Sequence, residues 1–405
     1  LVEISSISIS SLNTKNVISL MSENSASFVI SYLGIINSGK IPHLIPPEIS
    51  ETNLLAQITS SDSSTIICSK NIYHKILKYN SIKIPIFQFD KILKNIDNST
   101  IDSKSNDMAY LIYTSGTTSI PKGVGITHFM VDFTTNNIIK ILKYTNSDID
   151  VLPLPLHHSF GLGCLHTSLC VGSTLILLKN TNDLQNILDT IKKFNATTLA
   201  AIPSTLTKLL KFDKDDLQNY FSNIRLIITN STKIPINTIQ NFKTIISNGN
   251  LATYYGLTEA SRSTFMIFDK NSSYDESVGR PAPNVKIKIV NNDNEKSRNG
   301  EIWIKGDNVI KSYWENKLAD ENLDNGWLRT GDLGHIDDGY LYLLGRTDDV
   351  INIGGEKVLP DEIEKIVKQI DGVDDVVAFG IDHEIFGQVI KLHVIKSSNS
   401  TLDKT

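Results

Sequence analysis

Cysteine is scarce in this chain. There are three in 405 residues, at 68, 164 and 170, and they are widely spaced and odd in number. They form neither a disulfide framework nor a zinc set, and they point to a reducing, cytoplasmic setting. Long apolar runs are missing as well. None approaches the ~20 residues of a membrane span, and no charged-then-apolar leader opens the sequence. There is no basic excess: Lys and Arg number 39 against 44 Asp and Glu, for a net charge of −5. A nucleic-acid partner is therefore not expected. Residue 1 is Leu rather than Met, which points to a cut or unusually initiated start.

What is present is an ordinary globular composition, 40% hydrophobic and 20% charged, sized for two or three domains. Strand and helix patterns alternate through two-thirds of the chain. Phe28, Val29, Tyr32, Leu33 and Ile36 mark one helix face. Strands are expected at 65–68, 84–89, 109–113 and 150–154. A second series follows, with strands at 174–178, 197–202, 226–229 and 251–255 and helices at 182–193, 204–210 and 236–246. Such alternation predicts parallel sheets with crossover helices. From Val278 the texture changes to short alternating strands at 285–290, 301–305 and 340–344, as in a small antiparallel sheet or barrel. A helix at 360–370 and strands at 376–379 and 389–395 close the pattern.

The most informative stretch is 110–123, Tyr-Leu-Ile-Tyr-Thr-Ser-Gly-Thr-Thr-Ser-Ile-Pro-Lys-Gly. A β-branched and aromatic strand empties into a loop carrying Thr114, Ser115, Gly116, Thr117 and Thr118, with Lys122 at its rim. Backbone N–H and hydroxyl groups around a glycine can converge on one polyphosphate. It is not a Walker loop, because Lys122 is followed by Gly123. Taken alone, the stretch is equally an ordinary Ser/Thr/Gly-rich surface turn.

Three further constellations bear on it. In Tyr254-Tyr255-Gly256-Leu257-Thr258-Glu259, at the end of a predicted parallel strand, an aromatic can stack on a base and a carboxylate can hold Mg2+. Arg329-Thr330-Gly331-Asp332 sets an acid after a tight turn, able to accept ribose hydroxyls or simply to stabilise the turn. Gly345-Arg346-Thr347-Asp348-Asp349, read alone, is a charged turn before a capped helix.

In this order the motifs resemble the AMP-forming acyl-adenylating superfamily: acyl-CoA synthetases, adenylation domains and firefly-type luciferases. The resemblance runs from about Asn24 to about Gly387, with lesser matches at Thr127-His128, Pro155–Leu162, Gly279-Arg280-Pro281 and Gly300-Glu301-Ile302. It implies an α/β fold: a large N-terminal body of two stacked α/β subdomains (1–170 and 171–275) and a β-barrel-like appendix (276–344). A hinge at 345–348 and a small, apparently truncated α+β domain at 349–405 would follow. It also implies a two-step reaction, in which a small carboxylic acid and ATP give acyl-AMP and pyrophosphate and a thiol then displaces AMP. The thiol acceptor would be CoA or the phosphopantetheine of a carrier protein.

Carried over by position, Thr114 to Thr118 would hold the β and γ phosphates, with Lys122 near the leaving pyrophosphate. Tyr255 would stack on adenine beside Gly256, Thr258 would contact the α-phosphate, and Glu259 would coordinate Mg2+. Asp332, with Arg346 beside it, would accept the ribose hydroxyls, and Asp348 would lie at the hinge. His158, Ser159, Phe160, Asn230 and Ser231 would border the acyl pocket. His158 would not act as a base, because the attacking carboxylate is already ionised near pH 7, and His157 is expected in the core.

The sequence departs from the family pattern in three places. Ser119 replaces a usual glycine, and Ile228–Thr232 stands where many members have Ser-Gly-Gly-Ala. No terminal lysine in a Gly-Lys context follows Gly387. The resemblance then leaves two readings, a fragment or a chain slow in adenylation. Ser159, in place of the acid that pairs an α-ammonium, disfavours an amino-acid substrate. A luciferase-like oxidation and a non-catalytic nucleotide-binding relic are the rival functions.

Overall fold

Runs of β-branched residues make the sheet centres. Val17–Met21 (β1) and Ile41–Ile45 (β2) are buried along their whole length, as parallel strands covered on both faces must be. The computed structural model describes residues 16–89, 107–114, 121–246, 248–270, 273–291, 298–314, 322–354 and 356–397. Its contacts divide the chain into two compact units, Leu1–Val285 with Lys305–Trp327, and Lys286–Ile304 with Leu328–Thr405.

The first unit holds two sheets. Strands Ile66–Cys68 (β3), Ile86–Gln88 (β4), Met108–Thr114 (β5) and Lys122–Thr127 (β6) join the first two in the order β4–β3–β1–β2–β5–β6. Helices Ala26–Asn37 (α1), Glu51–Ser60 (α2) and Lys70–Ile76 (α3) lie between the strands in sequence. Ser25 caps α1 by accepting the Phe28 N–H, and Phe28 and Tyr32 on that helix are fully buried. The buried residues of α1 include Ile35 rather than the expected Leu33 and Ile36.

The second sheet runs β13–β12–β11–β10–β9–β7–β8. Its strands are Ile149–Leu152 (β7), Thr174–Leu177 (β8), Thr198–Ala200 (β9), Leu226–Thr229 (β10), Asn250–Leu257 (β11), Ala260–Phe268 (β12) and Arg280–Pro281 (β13). Helices His128–Leu142 (α4), Ser159–Val171 (α5), Leu184–Phe194 (α6), Pro203–Leu209 (α7), Lys214–Tyr220 (α8) and Ile236–Ile245 (α9) complete the unit. On α6, Ile187, Leu188 and Ile191 are buried at helical spacing, so burial rather than propensity holds it. Helix α4 packs on α5 and touches β5 and β6 of one sheet and β12 of the other, binding the two sheets into one core.

Parallel alternation is only part of the outcome. Both sheets finish in antiparallel strands, β5–β6 in the first and β11–β12–β13 in the second. Lys122 is therefore the first residue of β6, directly opposite Thr114 on the antiparallel β5. Thr258 and Glu259 form the turn of a tight hairpin in which Leu257 faces Ala260, in place of the crossover expected after a parallel strand.

In the second unit, Val285–Val290 (β14) pairs with Gly300–Gly306 (β15). The short Leu323–Asp324 (β16) precedes Trp327–Asp337 (β17), which pairs antiparallel with β15 and with Tyr340–Arg346 (β18). Strands Ile351–Ile353 (β19), Glu356–Val358 (β20), Val373–His383 (β21) and Gly387–Lys396 (β22) form a second sheet, with helix Pro360–Val367 (α10) against β21. The expected appendix is an open sheet of strands. Its β17–β18 hairpin belongs to the same compact unit as the C-terminal sheet.

Candidate active site

A cavity of about 400 Å³ opens in the first unit, lined by residues that follow β7, β9, β10 and β11. The carboxyl ends of parallel strands are where open α/β sheets bind ligands, since successive loops diverge there and leave a crevice. The lining brings together His158, Ser159 and Phe160 at the start of α5, Asn230 and Ser231 after β10, and Gly256 and Thr258 at the end of β11. Seven residues expected in the site, scattered over a hundred positions, thus meet in one cleft.

Local forces hold each wall. Asn24 donates to the carbonyls of Leu154 and Leu178 and accepts the Leu156 N–H, which fixes the chain entering α5. Phe160 stands edge-on to Tyr254 at 5.3 Å. Ser231 has φ 97°, a conformation natural to glycine and strained for serine. His158 opens onto the cleft, and burial in its concave wall holds its pKa below the ordinary value against a smaller upward pull from Glu48. His157 is buried, and burial with the His158 charge pushes it down to about 3, so it is a neutral core histidine as expected.

Glu259, in the hairpin turn, accepts a hydrogen bond from the Tyr313 hydroxyl at 3.2 Å. The Lys122 ammonium lies 5.6 Å from the centre of the same Tyr313 ring. Backbone bonds fix the segment that carries this tyrosine: Ile310 N–H donates to Glu259 C=O at 2.9 Å, and Trp314 N–H donates to Gly123 C=O at 2.8 Å. Tyr313 therefore stands between two expected site residues that are far apart in sequence. Ser115, Gly116, Thr117 and Thr118 lie outside the described residues. Tyr255 is only 6% exposed and does not line the cavity, whereas an open ring face was expected.

The remaining expected residues lie in the second unit. Asp332 faces Arg346 across the β17–β18 register, and the guanidinium Nη1 donates to Asp332 Oδ1 at 2.8 Å. The turn before it is fixed by Thr330 Oγ1, which donates to Ile302 C=O and accepts the Asp332 N–H. Glu301 adds to this by accepting the Gly331 N–H and the Trp303 indole N–H. Asp348 is exposed in a short 3-10 turn, Thr347–Asp349.

Sequence reasoning missed Asn24, Tyr313, Glu301 and a buried arginine, Arg262. Asn24, Tyr313 and Arg262 belong to no recognisable local motif, and Glu301, within the Gly300-Glu301-Ile302 match, is given no site role by the resemblance.

The AMP-binding enzyme family matches residues 9–314. The long-chain-fatty-acid–CoA ligase of Haemophilus influenzae is 32% identical over 308 residues, which are 73% of this chain and 54% of that protein. The chain thus spans about half the length of that relative. The oxalate–CoA ligase of Arabidopsis thaliana is 29% identical over 411 residues, 96% of this chain and 80% of that one. Among solved structures, o-succinylbenzoate CoA synthetase from Bacillus subtilis, in complex with its acyl-adenylate intermediate, aligns with a TM-score of 0.86. The identity is 25%, over 99% of this chain and 83% of the other. ATP-bound MatB from Rhodopseudomonas palustris shares the fold at a TM-score of 0.88 and 23% identity, over 99% and 83% of the two chains. The match to most of the first unit, added to a motif order that continues into the second, places this chain in the AMP-binding enzyme family, within the AMP-forming acyl-adenylating superfamily.

Proposed function

We propose that the protein activates a carboxylic acid with ATP and passes the acyl group to the thiol of CoA. The observation that carries this is the cleft at the carboxyl ends of β7, β9, β10 and β11, lined by the family's acyl-pocket and Thr-Glu segments. The acid's carboxylate oxygen attacks the α-phosphorus of ATP, the bond to the bridging oxygen breaks, and pyrophosphate leaves. The thiol sulfur then attacks the acyl carbon, AMP leaves, and the thiol proton passes to solvent. Neither step asks the protein for a nucleophile. Its contribution is position and charge neutralisation.

The roles follow from placement. Thr258 lines the cleft where the α-phosphate must meet the acid. Thr114 and Lys122 flank the loop of Ser115, Gly116, Thr117 and Thr118, which is assigned to the β and γ phosphates. Tyr255 and Gly256 are assigned to the adenine side, Asp332 with Arg346 to the ribose, and Asp348 to the hinge. Among the described residues no cluster of three or more His, Cys, Asp or Glu is arranged for a metal. Glu259 as a lone carboxylate fits Mg2+ that arrives on ATP, since Mg2+ commonly takes one or two carboxylates plus substrate phosphates. Bound there, Mg2+ would neutralise phosphate charge.

Three free cysteines support a cytoplasmic location, and no helix among the described residues is long and apolar enough to cross a membrane. The relatives' names cover fatty acids, oxalate and succinylbenzoate, and so leave the acid open. Pyrophosphate release across a panel of acids, with and without CoA, tests the reading. The expected result is acid-dependent release, with a CoA thioester as product. A thioester formed only on carrier-protein phosphopantetheine would replace CoA as acceptor, and no release with any acid would overturn the reading.

A further inference from the structure

Arg262 is 5% exposed, and among the described residues it forms no ion pair. Its Nη2 donates to the carbonyls of Ser159 and Phe160 at 3.2 Å each, and Nη1 donates to Ser261 Oγ at 2.7 Å. The guanidinium lies 4.8 Å from the Tyr254 ring centre. Its Nε–H has no partner, and the Tyr254 hydroxyl makes no hydrogen bond of normal geometry. The titratable groups nearest it, Tyr110, Cys164 and His166, are neutral near pH 7. Burial pushes the Tyr110 hydroxyl and the Cys164 thiol up to about 12 and the His166 imidazole down to about 3. A buried cation without a counter-charge is costly, and native proteins seldom leave one unpaired.

The fold gives up something to keep it there. Arg262 adopts φ 57°, the left-handed region. Gly163, the fifth residue of α5, is the seat: a Cβ at that position would run into the guanidinium. Glycine inside a helix costs about 1 kcal/mol relative to alanine. Strain and a propensity penalty converge on one side chain, which marks it as selected for a task. Its location supplies the task. Arg262 borders a small space of about 10 Å³, and Phe160 walls both that space and the acyl cleft.

We infer that Arg262 is the specificity-determining residue of the acyl pocket, and that the acid activated carries a second anionic group, as in a dicarboxylic acid, whose distal carboxylate pairs with this guanidinium. The space holds about one water-sized group, so pairing with a distal carboxylate requires the Phe160 ring to turn aside. This inference rests on the adenylation reading and narrows it to a substrate class.

The test is pyrophosphate release by the full chain with ATP and Mg2+. Straight-chain monocarboxylic acids of four to ten carbons are compared with the α,ω-dicarboxylic acids of equal length. The wild-type protein is expected to favour a diacid over its length-matched monoacid by at least tenfold in kcat/KM. Arg262→Met, which keeps volume without charge, is expected to reverse that order, and Arg262→Lys to retain part of the preference. A wild-type preference for monoacids at every length overturns the inference while leaving the adenylation reading intact. No release with any acid overturns both. Should Arg262→Met fail to fold, the wild-type ratio alone decides.

Discussion

Two carboxylates in this chain sit on antiparallel hairpins and are held in opposite ways. Glu259, in the turn between β11 and β12, accepts a hydrogen bond from the neutral hydroxyl of Tyr313. Asp332, on β17, is paired with the guanidinium of Arg346 directly across the register. A carboxylate held by a neutral donor keeps its full charge for an incoming cation. One already beside a guanidinium offers mainly lone pairs, which suit neutral hydroxyls. The two partners suit the two proposed roles, metal-bound phosphate at Glu259 and ribose at Asp332.

The strongest way to break the comparison is Glu259→Ala. Losing the group assigned to Mg2+ is expected to lower turnover about a hundredfold, a loss of roughly 2.7 kcal/mol of transition-state stabilisation. Near-native turnover in a pyrophosphate-release assay would remove Glu259 from the metal site. Asp332→Ala comes next. Hydrogen bonds to a charged group contribute roughly 1.5–3 kcal/mol, so the KM for ATP is expected to rise at least tenfold. An unchanged KM would end the ribose assignment.

Tyr313→Phe should act more mildly, because it keeps the ring beside Lys122 and removes only the bond to Glu259. A net hydrogen bond of roughly 0.5–1.5 kcal/mol predicts a two- to tenfold increase in the Mg2+ concentration needed for half-maximal rate. A structural role alone would lower thermal stability and leave that Mg2+ titration where it was.

Asp150 sharpens the comparison as a third kind of carboxylate, buried with hydroxyl donors. It accepts from Ser168 at 2.7 Å, Ser173 at 3.0 Å and Thr198, and burial pushes its pKa up to about 6. A folded-state pKa raised above the unfolded one favours the protonated form. Stability from this group is therefore present below about pH 4 and lost as pH rises through about 6, by roughly 3 kcal/mol. Asp150→Asn should gain stability relative to wild type between pH 4 and pH 7, with no change in ATP use. Parallel melting curves for the two proteins across that range would refute it.

Much of this was legible before any coordinates. β10 and β14 fall at their expected bounds because both are dense in β-branched residues between turn signals. β6 was not assigned, because Gly123 and Gly125 weaken its strand pattern. Gly123 is there since a Cβ would meet Trp314 at 2.9 Å, a tertiary cause that no local window contains. β12 escaped for a related reason. Its Arg262, Ser263 and Thr264 read as exposed yet are buried, the Ser263 and Thr264 hydroxyls bonded to carbonyls and to Asn308. The site divides along the same line. Residues within contiguous motifs were found, and Asn24, Tyr313 and Arg262, which act across long separations, were not.

The contact between Trp314 and β6 has a use beyond architecture. The Trp314 side chain sits against Gly123 and Gly125 of β6, and its backbone N–H donates to the Gly123 carbonyl. With only three tryptophans in the chain, this one is a built-in fluorophore beside the hairpin that carries Lys122. Its emission can follow nucleotide engagement in real time without a label.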